Sequence, residues 1–83
     1  MFQNSTGIYD HLVTLAQSLH IEVTEDMLDG SKGGLYLFKG KRTLVINKPL
    51  PLDQKIDMLV EVLKNEDLSN TYMLPVVRDL LGM

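Results

Sequence analysis

Two imidazoles, a row of carboxylates and a glycine-rich loop are the residues of this chain whose types and spacing could do chemistry. His11 and His20 are the two histidines, nine positions apart. At about 100° per residue a helix would carry them on opposite sides, so they cannot grip one metal ion. They read as a surface His in a first helix and a His at its C-terminal end, where positive charge suits the helix dipole. Asp53, Asp57 and Glu61 recur every four residues. Such a row could hold a cation or an Arg-rich partner, but it is the usual outer side of an amphipathic helix, and it lacks the wrapped oxygens of a calcium loop. In Gly30-Ser31-Lys32-Gly33-Gly34 the lysine precedes glycine and a strand-like run. A phosphate loop needs Ser or Thr after the lysine and a helix after the loop, so a turn feeding a hairpin is the expectation. Ser5, Ser18, Ser31 and Ser69 have no His and acid at a recognised spacing. No catalytic, cofactor-binding or metal-binding residue is assigned, and no cofactor is implied.

The cations are distributed unevenly. Lys32, Lys39, Lys41, Arg42 and Lys48 are five of the eight, and no acid lies between Gly30 and Leu52. With Tyr36 and Phe38 as stacking groups, this stretch could contact nucleic acid or another polyanion. The competing explanation is that lysines at turns and sheet edges block aggregation. It is favoured, because one turn on a chain of net charge −3 offers few phosphate contacts.

Composition sets wider bounds. The chain has 83 residues, 45% of them apolar and 23% charged, so one folded domain is expected over 1–83. It contains no cysteine, which removes disulfides and thiolate metal sites. The cytoplasm is then the default location. No run approaches 18 apolar residues, so no membrane span is expected. The first seven residues have neither the basic nor the apolar segment of a signal peptide. Fifteen leucines, seven valines and four isoleucines can fill one core layer, but they cannot also wall a deep pocket.

Residues 1–6 read as a loose lead-in, with Ser5 or Thr6 capping the next helix. Ile8, Leu12, Leu15 and Leu19 mark that helix over about 7–20. Ile21-Glu22-Val23-Thr24 predicts a short strand. Leu35-Tyr36-Leu37-Phe38 and Thr43-Leu44-Val45-Ile46 predict a β-hairpin around a Lys39–Arg42 link. Both runs are apolar on both faces, so each face needs cover from a helix or a partner chain. Ile56, Leu59, Val60 and Leu63 mark a second helix over about 52–65, and Pro75 opens a short last one. The fold class expected is α+β: a small antiparallel sheet, made of the hairpin plus a short strand, packed with two main helices and a short C-terminal helix.

Gly33-Gly34-Leu35-Tyr36, Thr43-Leu44-Val45-Ile46-Asn47, Leu50-Pro51-Leu52 and the helix through Ile56, Leu59 and Leu63 together resemble the core of the ImmA/IrrE-like metallopeptidases, the compact zincins. The resemblance spans roughly 35 residues, about 29–63. In that family H-E-x-x-H on the helix holds zinc, and its Glu takes a proton from the bound water. Here Val60-Glu61-Val62-Leu63-Lys64-Asn65 stands in its place. Glu61 alone can be mapped onto the motif, and neither histidine is present. The resemblance therefore implies a metal-free remnant that binds without catalysing, a small bacterial-type interaction domain and not an enzyme. Tyr72, Met73, Leu74 and Val77 are a candidate docking surface for a protein partner, including a second copy in a homodimer. The competing explanation, a tail that completes the core, is favoured, because a small sheet with two apolar faces needs cover.

Overall fold

The computed structural model describes residues 5–83, which leaves residues 1–4 of the expected lead-in outside the described residues. Helix α1 (Ser5–Ser18) leads into β1 (Ile21–Asp26), then β2 (Gly33–Phe38), β3 (Lys41–Asn47), α2 (Leu52–Leu63) and α3 (Pro75–Leu80). The α+β class is the one expected. Ser5 and Thr6 lie inside α1 itself, so neither stands ahead of it as a cap. The helix ends where His20 takes φ 64°, a left-handed turn that swings the chain into β1.

The sheet differs from expectation in one respect. Its order is β1-β3-β2. β2 and β3 form the antiparallel hairpin, but β1 runs parallel to β3, with Ile21 beside Arg42 and Asp26 beside Asn47. The sheet is therefore mixed rather than wholly antiparallel. The physical reason lies in the glycine-rich loop. Strands are about 4.8 Å apart, so crossing from β1 past β3 to β2 covers roughly 10 Å, well within reach of residues 27–32. Asn47 holds that crossing in place. Its Oδ1 accepts the Leu28 N–H at 2.9 Å, and its own N–H donates to the Lys32 carbonyl at 2.9 Å. Lys48 N–H donates to the Asp26 carbonyl at 2.8 Å. Gly33 then enters β2 at φ 110°, where an added Cβ would stand 1.9 Å from the Val45 carbonyl oxygen. Only glycine fits there.

Hydrophobic period decides the layers. Ile21, Leu44 and Ile46 point to one side of the sheet and are buried with Leu12 and Leu15 of α1, Leu59 and Leu63 of α2, and Val77 of α3. All three helices share this one core. The opposite sheet face carries Tyr36, Phe38, Thr43 and Val45, and Tyr36 and Phe38 remain exposed. Among the described residues, the cover expected on both faces exists on one. Met73 and Val77 are buried, which corrects their place in the candidate docking surface: the C-terminal segment completes the core, as a small domain short of apolar cover requires. Leu74 is half-buried, and Tyr72 is exposed. No helix among the described residues is long and apolar enough to cross a membrane.

One polar junction ties three elements together. Tyr9 of α1 donates its hydroxyl to Glu25 Oε2 at 2.6 Å, and Lys55 Nζ of α2 donates to Glu25 Oε1 at 2.8 Å. The Lys55 and Tyr9 bonds hold the Glu25 carboxyl below its ordinary range. Burial, and then Glu25, push the Tyr9 hydroxyl up. A lowered carboxylate pKa stabilises the fold above the ordinary range and ceases to do so as pH falls through the folded value. Glu25→Gln is therefore expected to lower the urea midpoint at pH 7, by about 1 kcal/mol. The gap from wild type should narrow as pH falls below the ordinary glutamate range, about 4.3; a gap constant with pH would contradict the ionic contribution. Leu59→Ala is expected to cost about 2–5 kcal/mol by the same measurement, a large fraction of what a domain of this size holds.

Candidate functional site

β2 is the element that the rest of the molecule leaves unfinished. The Lys32 carbonyl bonds Asn47, and hairpin pairing alternates along the strand, so Gly34, Tyr36 and Phe38 direct their backbone groups at β3. Leu35 and Leu37 direct their N–H and C=O out of the sheet. The side chains alternate as well. Leu35 and Leu37 lie on the helix-bearing face opposite Leu44 and Arg42, while Tyr36 and Phe38 lie on the bare face. Yet all four are exposed: 43% for Leu35, 54% for Tyr36, 73% for Leu37 and 64% for Phe38. The helices do not reach far enough to cover the edge. The other edge is protected differently, because β1 carries Glu22, Glu25 and Asp26, and charge on an edge strand discourages pairing with another chain. β2 carries no charge from Gly33 to Phe38.

A groove of about 620 Å³ runs between β2 and α2. Leu35, Leu44, Leu50, Met58 and Val62 give it apolar walls, Asp57 and Glu61 of α2 stand on its rim, and Lys32 lines it at the start of β2. α2 is oriented by its buried residues Ile56, Leu59 and Leu63, which turns the carboxylates toward β2. Neither carboxylate forms an ion pair among the described residues, and both are exposed. The third member of the row, Asp53, is also exposed and lies outside the groove.

The five cations singled out from the sequence do not gather. Lys39 and Gly40 form the hairpin turn with φ 52° and 78°, as a two-residue hairpin link requires. Lys39 Nζ lies 5.4 Å from the centre of the Phe38 ring. Lys41 pairs with Glu22 at 3.5 Å. Arg42 donates to Glu66 Oε2 at 2.8 Å and to the Leu19 carbonyl at 3.0 Å, so it ties the sheet to the ends of both main helices. Lys32 and Lys48 lie at the other end of the sheet, about 20 Å away along the strands. A shallow depression of about 600 Å³ beside the turn is lined by Lys41 and Arg42 but also by Glu22. A polyanion there would meet a carboxylate beside the cations.

The histidines hold no ligand set. His11 is half-buried, and its Nε2 accepts the Leu74 N–H at 3.5 Å, which corrects its reading as a surface residue and gives it a part in seating the C-terminal segment. His20 is exposed in its left-handed turn. Among the described residues no three His, Cys, Asp or Glu side chains converge as a metal site would need. Comparison with protein-family models, with curated proteins and with solved structures found no match.

Sequence reasoning saw Tyr36 and Phe38 as stacking groups for a polyanion and missed Leu35, Leu37, Asp57 and Glu61 as parts of one surface. The available signal was a hairpin run that is apolar at every position and bare of charge. The two kinds of cation separate by mutation. Arg42→Ala is expected to cost about 1 kcal/mol in urea unfolding. Lys39→Asn is expected to leave stability unchanged or raise it, because Asn-Gly suits this turn.

Proposed function

We propose that this chain is a small cytoplasmic interaction domain without catalytic activity, which receives a partner along the open edge of β2 and in the groove beside it. The observation that carries this reading is the run Leu35–Phe38: four exposed apolar side chains on an uncharged edge whose Leu35 and Leu37 backbone groups face outward. An extended segment added there would gain main-chain hydrogen bonds from the edge and set alternate side chains into the groove. Specificity would come from Asp57 and Glu61, which favour a cationic side chain in the ligand.

The reading includes descent from a compact zincin core. Its support is an arrangement: α2 lies beside the β2–β3 ribbon, and Leu44, Met58 and Val62 line one groove between them. Glu61 stands on the groove rim, with valine and lysine at the two positions where the family has histidine. Polyanion binding has less support, since two of its five cations are already paired with carboxylates.

Selection of displayed random peptides against the chain tests the reading. It is expected to yield extended apolar sequences bearing a lysine or arginine, with micromolar affinity. Leu37→Lys should abolish their binding without unfolding the domain, because that side chain is 73% exposed. Selected peptides indifferent to Leu37→Lys, or no binders at all, would overturn the docking surface. Zinc retained at one equivalent through dialysis would overturn the metal-free remnant.

A further inference from the structure

We infer that the occupant of the β2 edge is β2 of a second copy of this chain, paired antiparallel about a twofold axis to make one six-stranded sheet. The inference deepens the docking reading above and rests on it. The groove and edge call for an apolar extended segment followed by a cation, and residues 35–39 of the chain itself are such a segment.

Symmetry restricts the register. A twofold axis perpendicular to the sheet keeps both helix-bearing faces on one side, so facing residues must share a face. Residues on the same face of a strand differ by two, so the position numbers of every facing pair must sum to an even number. The register centred on Tyr36 sets Leu35 opposite Leu37 and Phe38 opposite Gly34. The outward N–H and C=O groups of Leu35 and Leu37 then bond each other, twice per dimer. Phe38 lies over a glycine that offers no side chain of its own, a pairing that covers weak strand positions. The same register sets Lys39 of the second copy opposite Gly33, at the end of the groove whose rim bears Asp57 and Glu61. Among the described residues, Lys39 and both carboxylates have no ion-pair partner within one copy. Lys39 Nζ rests 5.4 Å from the centre of the Phe38 ring on the bare face, and by swinging off that ring it reaches the carboxylates at both ends of the interface. The neighbouring register centred on Leu35 sets Tyr36 over Gly34 and Phe38 against Lys32, so that Phe38 no longer lies over a glycine.

The exposed fractions of Leu35–Phe38 correspond to on the order of 500 Å² per copy, roughly 1,000 Å² in all, the low end for a specific interface. The dimer is therefore a micromolar one, exchanging with monomer.

Sedimentation over about 1–500 µM spans that regime. Wild type is expected to shift from monomer to dimer, and Leu37→Lys to weaken the dimer at least tenfold. Lys39→Asp suits the turn and should weaken it about fivefold. Adding Asp57→Lys and Glu61→Lys to Lys39→Asp should restore it. Register is read separately. The chain has no cysteine, and Tyr36 would face its own symmetry mate in a closely spaced, non-hydrogen-bonded pair. Tyr36→Cys should form a covalent dimer on mild oxidation, and Leu35→Cys should not. A wild type that stays monomeric throughout would overturn self-pairing. If selected peptides still bound in a Leu37-dependent way, the docking reading would survive that loss. A dimer indifferent to Leu37→Lys, or one in which Tyr36→Cys does not cross-link, would overturn the β2 assignment.

Discussion

Parallel pairing of β1 on β3 is the constraint from which the rest of the architecture follows. With β1 and β2 on its two sides, β3 becomes the one strand bonded along both edges. Its Leu44 and Ile46 can then sit at the centre of the core, where apolar burial contributes most. β2 is pushed to the margin of the sheet, where α2 borders it across an open groove. The arrangement depends on Asn47, whose amide and backbone hold both ends of the crossing loop. This asparagine, read in the sequence as a mark of zincin kinship, has a structural task that is independent of ancestry.

Charge is divided into two populations. Lys55–Glu25, Arg42–Glu66 and Lys41–Glu22 join elements to one another, and the first two are partly shielded from solvent. Screening weakens such pairs least where they are least exposed. Among the described residues, Lys39, Asp57 and Glu61 form no such pairs, and they flank the strand whose outer side has no neighbour. A chain with a mild net charge thus keeps uncompensated charges of both signs around one uncharged, apolar edge.

Much of the fold was legible in the sequence, and the exceptions share a cause. The stripes Leu12–Leu15 and Ile56–Leu59–Leu63 marked both main helices, because helical period survives in any core that buries one side of a helix. Gly40 in a short link marked the hairpin. Strand order was not legible: Ile21–Thr24 reads the same whether it pairs parallel or antiparallel, and only the length and anchoring of residues 27–32 decide. The apolar run Tyr72-Met73-Leu74 suits either an interface or a tail that completes the core, so local pattern left both open. Burial of Met73 and Val77 depends on how much core the remaining elements leave open, which local pattern does not encode. For the same reason, the joint placement of Leu35, Asp57 and Glu61 along one groove is a tertiary fact, visible only once α2 lies beside β2.

The core has a further consequence for how the chain comes to be folded. Leu12 near one end and Val77 near the other are both fully enclosed in the same cluster. A polypeptide emerging from the ribosome cannot seal that cluster until residue 77 has left the exit tunnel. Throughout that interval the Gly33–Phe38 segment lacks even the partial shelter of the finished domain, and unpaired apolar strands are the species most prone to sticking together. The lysine and glycine at its turn form the hairpin from neighbouring residues alone, on the microsecond scale of such local events. One side of that strand is therefore occupied before the core is sealed.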